Sequence, residues 1–171
     1  MTPGEQALAI QQIRMCKAKY WHYMDMKQWD KLAEVFTHDA ITDFRGERDL
    51  KPGEPISKLE PVEDSIAKGD PAAFQGRQNI MDGLYSGMLQ DWMTFHHGGE
   101  PIIELTGPDT ATGMWPLFDY IGHNGRFLKG YGHYQERYRF EDGAWRISYL
   151  VLTRIKLDGD HPAHFVVDPQ A

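Results

Sequence analysis

The 171-residue chain predicts an α+β fold, with helices first and an antiparallel sheet second. Three observations carry this. Apolar residues recur at three- and four-residue spacing across residues 5–27, which places them on one helical face. Asn124-Gly125 and Asp142-Gly143 separate long strand-like segments, and a two-residue type I′ hairpin needs positive φ at both central positions. Ionisable residues (His96, Asp119, His133 and Arg154) then recur inside apolar strands. A buried charge is costly unless it is paired or solvated by a cavity. Several on successive strands point to a curved sheet folded around a polar-lined pocket, with the N-terminal helices on its concave face.

Taken in order, helix 1 spans residues 5–27, with Ile13, Cys16, Tyr20 and Tyr23 or Met24 on its inner face. A short helix follows from about Gln28 to Phe36, with Trp29, Leu32, Ala33 and Phe36 turned inward. Residues 40–45 form a short strand. From Arg45 to Pro71 four prolines, glycines and many charges break the periodicity, so this is read as a long loop or flap. Such loops are uncommon in compact domains and tend to cover binding sites, although a mobile insertion without a chemical role fits the composition too. A third helix is expected over 73–90, its apolar side made by Phe74, Ile80, Leu84, Met88 and Leu89. Strands are expected at 93–106, 110–122, 127–141 and 144–157, as an antiparallel meander of four.

Length and composition fit one domain spanning 1–171. A net charge of −7, without any basic run, argues against nucleic-acid binding. The single Cys16 excludes an intramolecular disulfide and a cysteine-based zinc cluster, and reads as a small buried hydrophobe. No apolar run reaches the ~20 residues that span a bilayer, and no signal-peptide pattern is present, so a cytoplasmic location is expected. The eight histidines show no His-Glu-x-x-His or same-face spacing, so no metal is expected. Nor is there a glycine-rich nucleotide loop or a Gly-x-Ser-x-Gly elbow. Cofactor-free acid–base chemistry remains.

The segments Lys19-Tyr20-Trp21-His22-Tyr23-Met24-Asp25, Trp29-Asp30-Lys31-Leu32 and Phe36-Thr37-His38-Asp39-Ala40 resemble the SnoaL-like branch of the nuclear transport factor 2-like superfamily. So do Thr94-Phe95-His96-His97, Gly113-Met114-Trp115 through Asp119, Gly132-His133-Tyr134 through Tyr138, and Asp142-Gly143-Ala144-Trp145-Arg146-Ile147. Scytalone dehydratase and bile-acid 7α-dehydratase belong to that branch. The resemblance implies a cone-shaped sheet and helices enclosing a pocket. The fold also hosts isomerases, cyclases and non-catalytic subunits such as the β subunit of ring-hydroxylating dioxygenases.

His96 is the leading candidate base, because an imidazole both takes and gives a proton near neutral pH. His97 points to the opposite face by strand alternation. Asp119 is expected to pair with His96 and hold its tautomer; a strand-end aspartate bonded to backbone is the alternative. Tyr20 is a core tyrosine or a proton donor. Asp25 matches the aspartate that the dehydratases carry at the end of their first helix. Asp25-Met26-Lys27-Gln28 also has the form of a capping box, and helical geometry sets Asp25 roughly 140° from the apolar stripe. Asp25 therefore reaches a pocket only if helix 1 ends nearby. Arg154, which matches a pocket arginine in bile-acid dehydratase, is expected to contact substrate with His133, Trp115 and Tyr134. Arg154 also fits a surface or interface position, and alternation puts His133 on the more polar face unless a glycine bulge intervenes. The expected activity is that of a cofactor-independent lyase acting on a bulky apolar cyclic hydroxy-carbonyl compound in a cavity of roughly 300–1,000 Å³. An isomerase or cyclase, or a binding or accessory subunit, is the alternative. A homo-oligomer is expected because the last strands carry apolar residues on both faces, and the resemblance implies a trimer or a dimer.

Overall fold

A computed structural model describes residues 1–86 and 89–159. Helix α1 (Pro3–Asp25) starts on a capping box, in which Thr2 and Glu5 satisfy each other's backbone N–H groups and Pro3 occupies the first turn. Its buried side is Ala9, Ile13, Cys16, Tyr20 and Met24, together with Lys17. The helix stops at Asp25, and Lys27 at φ 56° turns the chain into the short α2 (Trp29–Ala33). Phe36 is not helical; it opens strand β1 (Phe36–Asp43).

Residues 45–71 contain helix α3 (Arg45–Asp49), a 3₁₀ turn (Ile56–Lys58) and helix α4 (Val62–Ala67). Ion pairs tie this segment to its own base. Arg45 forks onto Asp43 at 2.9 and 2.8 Å and reaches Ser65 at 2.6 Å, while Arg48 grips Asp70 at 2.9 and 2.8 Å.

The third helix expected over 73–90 is largely replaced. Ala73–Gln75 forms strand β2, antiparallel to β1, because the open edge of β1 offers backbone partners that local periodicity does not anticipate. Gly76, at φ 89°, then turns the chain from β2 into a four-residue helix α5 (Arg77–Ile80), which continues as a π turn (Met81–Tyr85). Met88, one of the expected apolar positions, lies outside the described residues.

The remaining strands are β3 (Met93–Gly98), β4 (Ile102–Leu105), β5 (Thr110–His123), β6 (Arg126–Glu141) and β7 (Ala144–Gly159). The expected strand at 93–106 is thus two strands, split around Gly99 and Pro101, and both pair antiparallel with β5. Both predicted hairpin turns form, with Asn124, Gly125, Asp142 and Gly143 all at positive φ. The sheet runs β2-β1-β7-β6-β5-β3, antiparallel except where β1 lies parallel to β7. This is the α+β architecture of a curved, unclosed sheet with α1 packed against β3 and β7. No helix among the described residues is long and apolar enough to cross a membrane.

In β7 a bulge between the partners of Arg137 and Tyr138 changes the alternation. Trp145 and Ile147 therefore share the interior with Leu150 and Leu152 rather than opposing them. The interior also holds a buried polar cluster. Lys17 Nζ bonds Glu136, Tyr138 donates to the same carboxylate, and Trp115 donates to Tyr138 at 2.9 Å. The Lys17 ammonium also lies 4.1 and 3.6 Å from the ring centres of Tyr20 and Tyr134. Burial lowers its pKa to about 8, with Glu136 opposing the shift.

Candidate active site

The chain's turn after α1 brings Asp25 against β3. Thr94 and His96 alternate onto the concave face of that strand, while Phe95 and His97 are exposed on the other. Asp25 accepts three hydrogen bonds: from the Thr94 hydroxyl at 2.9 Å, from the His96 backbone N–H at 2.9 Å and from His96 Nδ1 at 2.7 Å. An ionised carboxylate only accepts, so Nδ1 carries a ring proton, and in the neutral imidazole Nε2 keeps its lone pair. Asp25 is therefore not the cap of α2, whose N-terminus has no side-chain cap.

The expected His96–Asp119 pair does not form. The two residues are direct cross-strand partners, but Asp119 turns to Arg154. Its carboxylate takes both ends of the guanidinium, Nη1 at 3.0 Å and Nη2 at 2.9 Å. A bidentate arginine offers a carboxylate two charge-assisted bonds where an imidazole offers one. Gly130 makes this possible, since a Cβ there would sit 2.1 Å from Asp119 Oδ1 and 2.3 Å from Arg154 Nη1. The other edge of Arg154 donates through Nε to Glu47 Oε1 at 2.5 Å. Burial pushes the Glu47 carboxyl up to about 7; Asp119 adds to the shift and Arg154 opposes it.

His96, Asp119, Arg154, Tyr20 and Tyr134 all border one internal cavity, with Thr94, Tyr85 and an apolar wall that includes Met24, Phe44 and Leu152. Tyr20 and Tyr85 share a hydrogen bond of 3.0 Å between their hydroxyls. Burial raises the pKa of Tyr20, Tyr85 and Tyr134 well above the usual phenol range, so all three remain protonated donors. The cavity volume is about 20 Å³, room for one water and far below the expected size.

Two expected contact residues lie elsewhere. His133 is on the outer face, opposite Pro116 and Thr153, because β6 directs its even-numbered residues inward. Trp115 stands edge-to-face with Trp21 and borders a surface groove of about 500 Å³ instead of the cavity. Three residues at the site escaped the sequence. Glu47 sits in a segment without periodicity, Tyr85 in a π turn, and Thr94 carried no signal beyond its place two residues before His96.

Known structures share this arrangement of strands and helices. A hexachlorocyclohexane dehydrochlorinase, LinA-type3, from Novosphingobium barchaimii superposes with a TM-score of 0.69 at 17% identity, covering 95% of this chain and 97% of the other. A proposed scytalone dehydratase from Novosphingobium aromaticivorans gives 0.71 at 16% identity, covering 94% and 93%. A single-residue variant of Rv3472, a protein of unknown function from Mycobacterium tuberculosis, gives 0.65 at 22% identity, covering 100% and 81%. At these identities the likeness concerns the fold. The family model for the SnoaL-like domain matches residues 5–151, nearly the whole described chain. The chain belongs to the SnoaL-like family, within the nuclear transport factor 2-like superfamily.

Proposed function

We propose that the protein is a cofactor-independent lyase that removes a proton and a β-leaving group from a cyclic, largely apolar compound. The observation that carries this is the Asp25–His96 dyad facing an interior cavity. Asp25 holds Nδ1–H, so Nε2 is the nitrogen available as base. The C–H bond breaks with its proton going to Nε2, the electron pair forms the C=C bond, and the leaving group departs with its own pair. Asp25 stabilises the imidazolium that results. Tyr20 or Tyr134 donates a hydrogen bond to the leaving oxygen or halide, and Arg154 polarises an adjacent carbonyl. Proton transfer of this kind contributes about 10²–10⁴-fold. A ring compound enters only if the cavity expands, and Tyr20, Met24, Phe44, Leu84, Tyr85 and Leu89 form the part of its wall not built from the sheet.

The test separates the base from the leaving group. Exchange of the α-protons of 2-tetralone in D₂O, followed by proton NMR, reports Nε2 alone. Enone absorbance from β-hydroxy and β-chloro cyclic ketones reports the elimination. His96→Gln abolishes both and leaves the chain folded. Exchange without elimination on any of these compounds identifies an isomerase of the same pocket type. Wild-type rates no higher than those of His96→Gln refute catalysis by the dyad and favour a binding or accessory subunit.

A further inference from the structure

Helix α3 carries a second carboxylate to Arg154. The Glu47 side chain is only 1% exposed, its Oε1 takes both Nε and Nη2 of Arg154, and its Oε2 is buried without a hydrogen-bond partner among the described residues. Asp119 takes Nη1 and Nη2 from the other edge. A guanidinium has five N–H bonds, and these contacts leave one of them, on Nη1, for anything in the cavity.

The placement of Glu47 is enforced by its neighbours. A Cβ on Gly46 would lie 2.6 Å from the Leu152 carbonyl oxygen, so α3 approaches β7 as closely as a chain can. Seven residues beyond Gly46, the Gly53 N–H donates to the Arg154 carbonyl at 2.8 Å. Segment 45–71 therefore holds Arg154 by its side chain and by its backbone. An arginine alone on a cavity wall is an anion site, and one carboxylate neutralises it. Two carboxylates leave the group with one net negative charge when both are ionised. The Asp25 carboxylate, bonded to His96 on the cavity wall, adds to it.

We propose that Glu47 is a specificity-determining positioning residue. By engaging the second edge of Arg154, it removes the positive charge that an anionic ligand would need. The site then takes neutral ring compounds and excludes ring carboxylates. This rests on the cavity being the substrate site proposed above, and it narrows the substrate class.

The experiment compares 2-naphthol with 2-naphthoate, a neutral and an anionic ligand of similar shape, by isothermal titration calorimetry at pH 8. Wild type binds 2-naphthol in preference to 2-naphthoate. Removing one nearby charge from a site of low dielectric raises affinity for the anion relative to 2-naphthol by about tenfold or more in Glu47→Gln and in Glu47→Ala. Glu47→Asp, which keeps the charge, keeps the discrimination. A wild-type protein that binds both probes equally, or a ratio unmoved in Glu47→Gln and Glu47→Ala, overturns the assignment. If neither probe binds wild type, the cavity is not a ring-binding site, and the lyase assignment falls with this one. Proton exchange that depends on His96, together with no effect at Glu47, sinks only the specificity role.

Discussion

Asp25→Asn is the most informative single substitution. The carboxylate accepts at both oxygens: Oδ1 takes the Thr94 hydroxyl and His96 Nδ1, and Oδ2 takes the His96 backbone N–H. An amide has one acceptor oxygen and one donor nitrogen, so one of these places becomes donor against donor. If the NH₂ replaces Oδ2, it faces the His96 N–H and the charge that stabilises an imidazolium is gone. If it replaces Oδ1, Nδ1 has to accept, the ring proton moves to Nε2, and the base is blocked. The Asp25 side chain is 18% exposed, so little water repairs either conflict. Losing a hydrogen bond to a charged group costs about 1.5–3 kcal/mol, measurable as a lower urea midpoint at unchanged slope. Proton exchange should fall by about 10²–10⁴-fold in either orientation. Histidine ¹⁵N NMR distinguishes the two, since Nδ1–H persists only in the first. An Asp25→Asn protein with wild-type stability and wild-type exchange would refute the dyad.

Three further outcomes follow from the buried charges and the outer face. Because the Glu47 pKa is raised in the folded state from an ordinary value of 4.5 to about 7, folded protein binds more protons than unfolded over that interval. Stability should decline as pH rises from about 4.5 to 7, by on the order of 3 kcal/mol, and Glu47→Gln should flatten the decline in chemical denaturation; an unchanged slope would contradict the raised pKa. Lys17→Met should destabilise by about 3–5 kcal/mol because it strands Glu136 without a countercharge, whereas Lys17→Met combined with Glu136→Gln should recover much of the loss. Equal denaturation midpoints for the single and double variants would show that the pair is not coupled. Finally, the outer face exposes Phe95, Phe127 and Tyr131, with Phe118 against Tyr131 at 5.3 Å and Tyr120 stacked on Phe127 at 5.8 Å. Contiguous apolar faces of this kind are normally covered, so light scattering should find a homo-oligomer that Phe95→Lys weakens; a monomer at micromolar concentration refutes this.

Local chemistry was sufficient for much of the fold. The helical stripe of Ile13, Cys16 and Tyr20 and the two turns at Asn124-Gly125 and Asp142-Gly143 depend on spacing and on permitted φ values, which are properties of neighbours in the chain. The concave position of His96 and Asp119 and the outward position of His133 likewise follow from strict alternation along a strand. Alternation failed where β7 bulges, because a bulge answers to the partner strand rather than to the residues it contains. The residues from Ala73 to Gln75 became a strand for a similar reason, since the edge of β1 supplied partners from far along the chain. Which charge pairs with which was beyond the sequence altogether. His96 and Asp119 are adjacent across two strands, yet Asp25 arrives from the end of α1 and Glu47 and Arg154 arrive from α3 and β7. Pairing depends on distances of a few ångströms between groups up to 107 positions apart in the chain, and only the packed fold sets those distances.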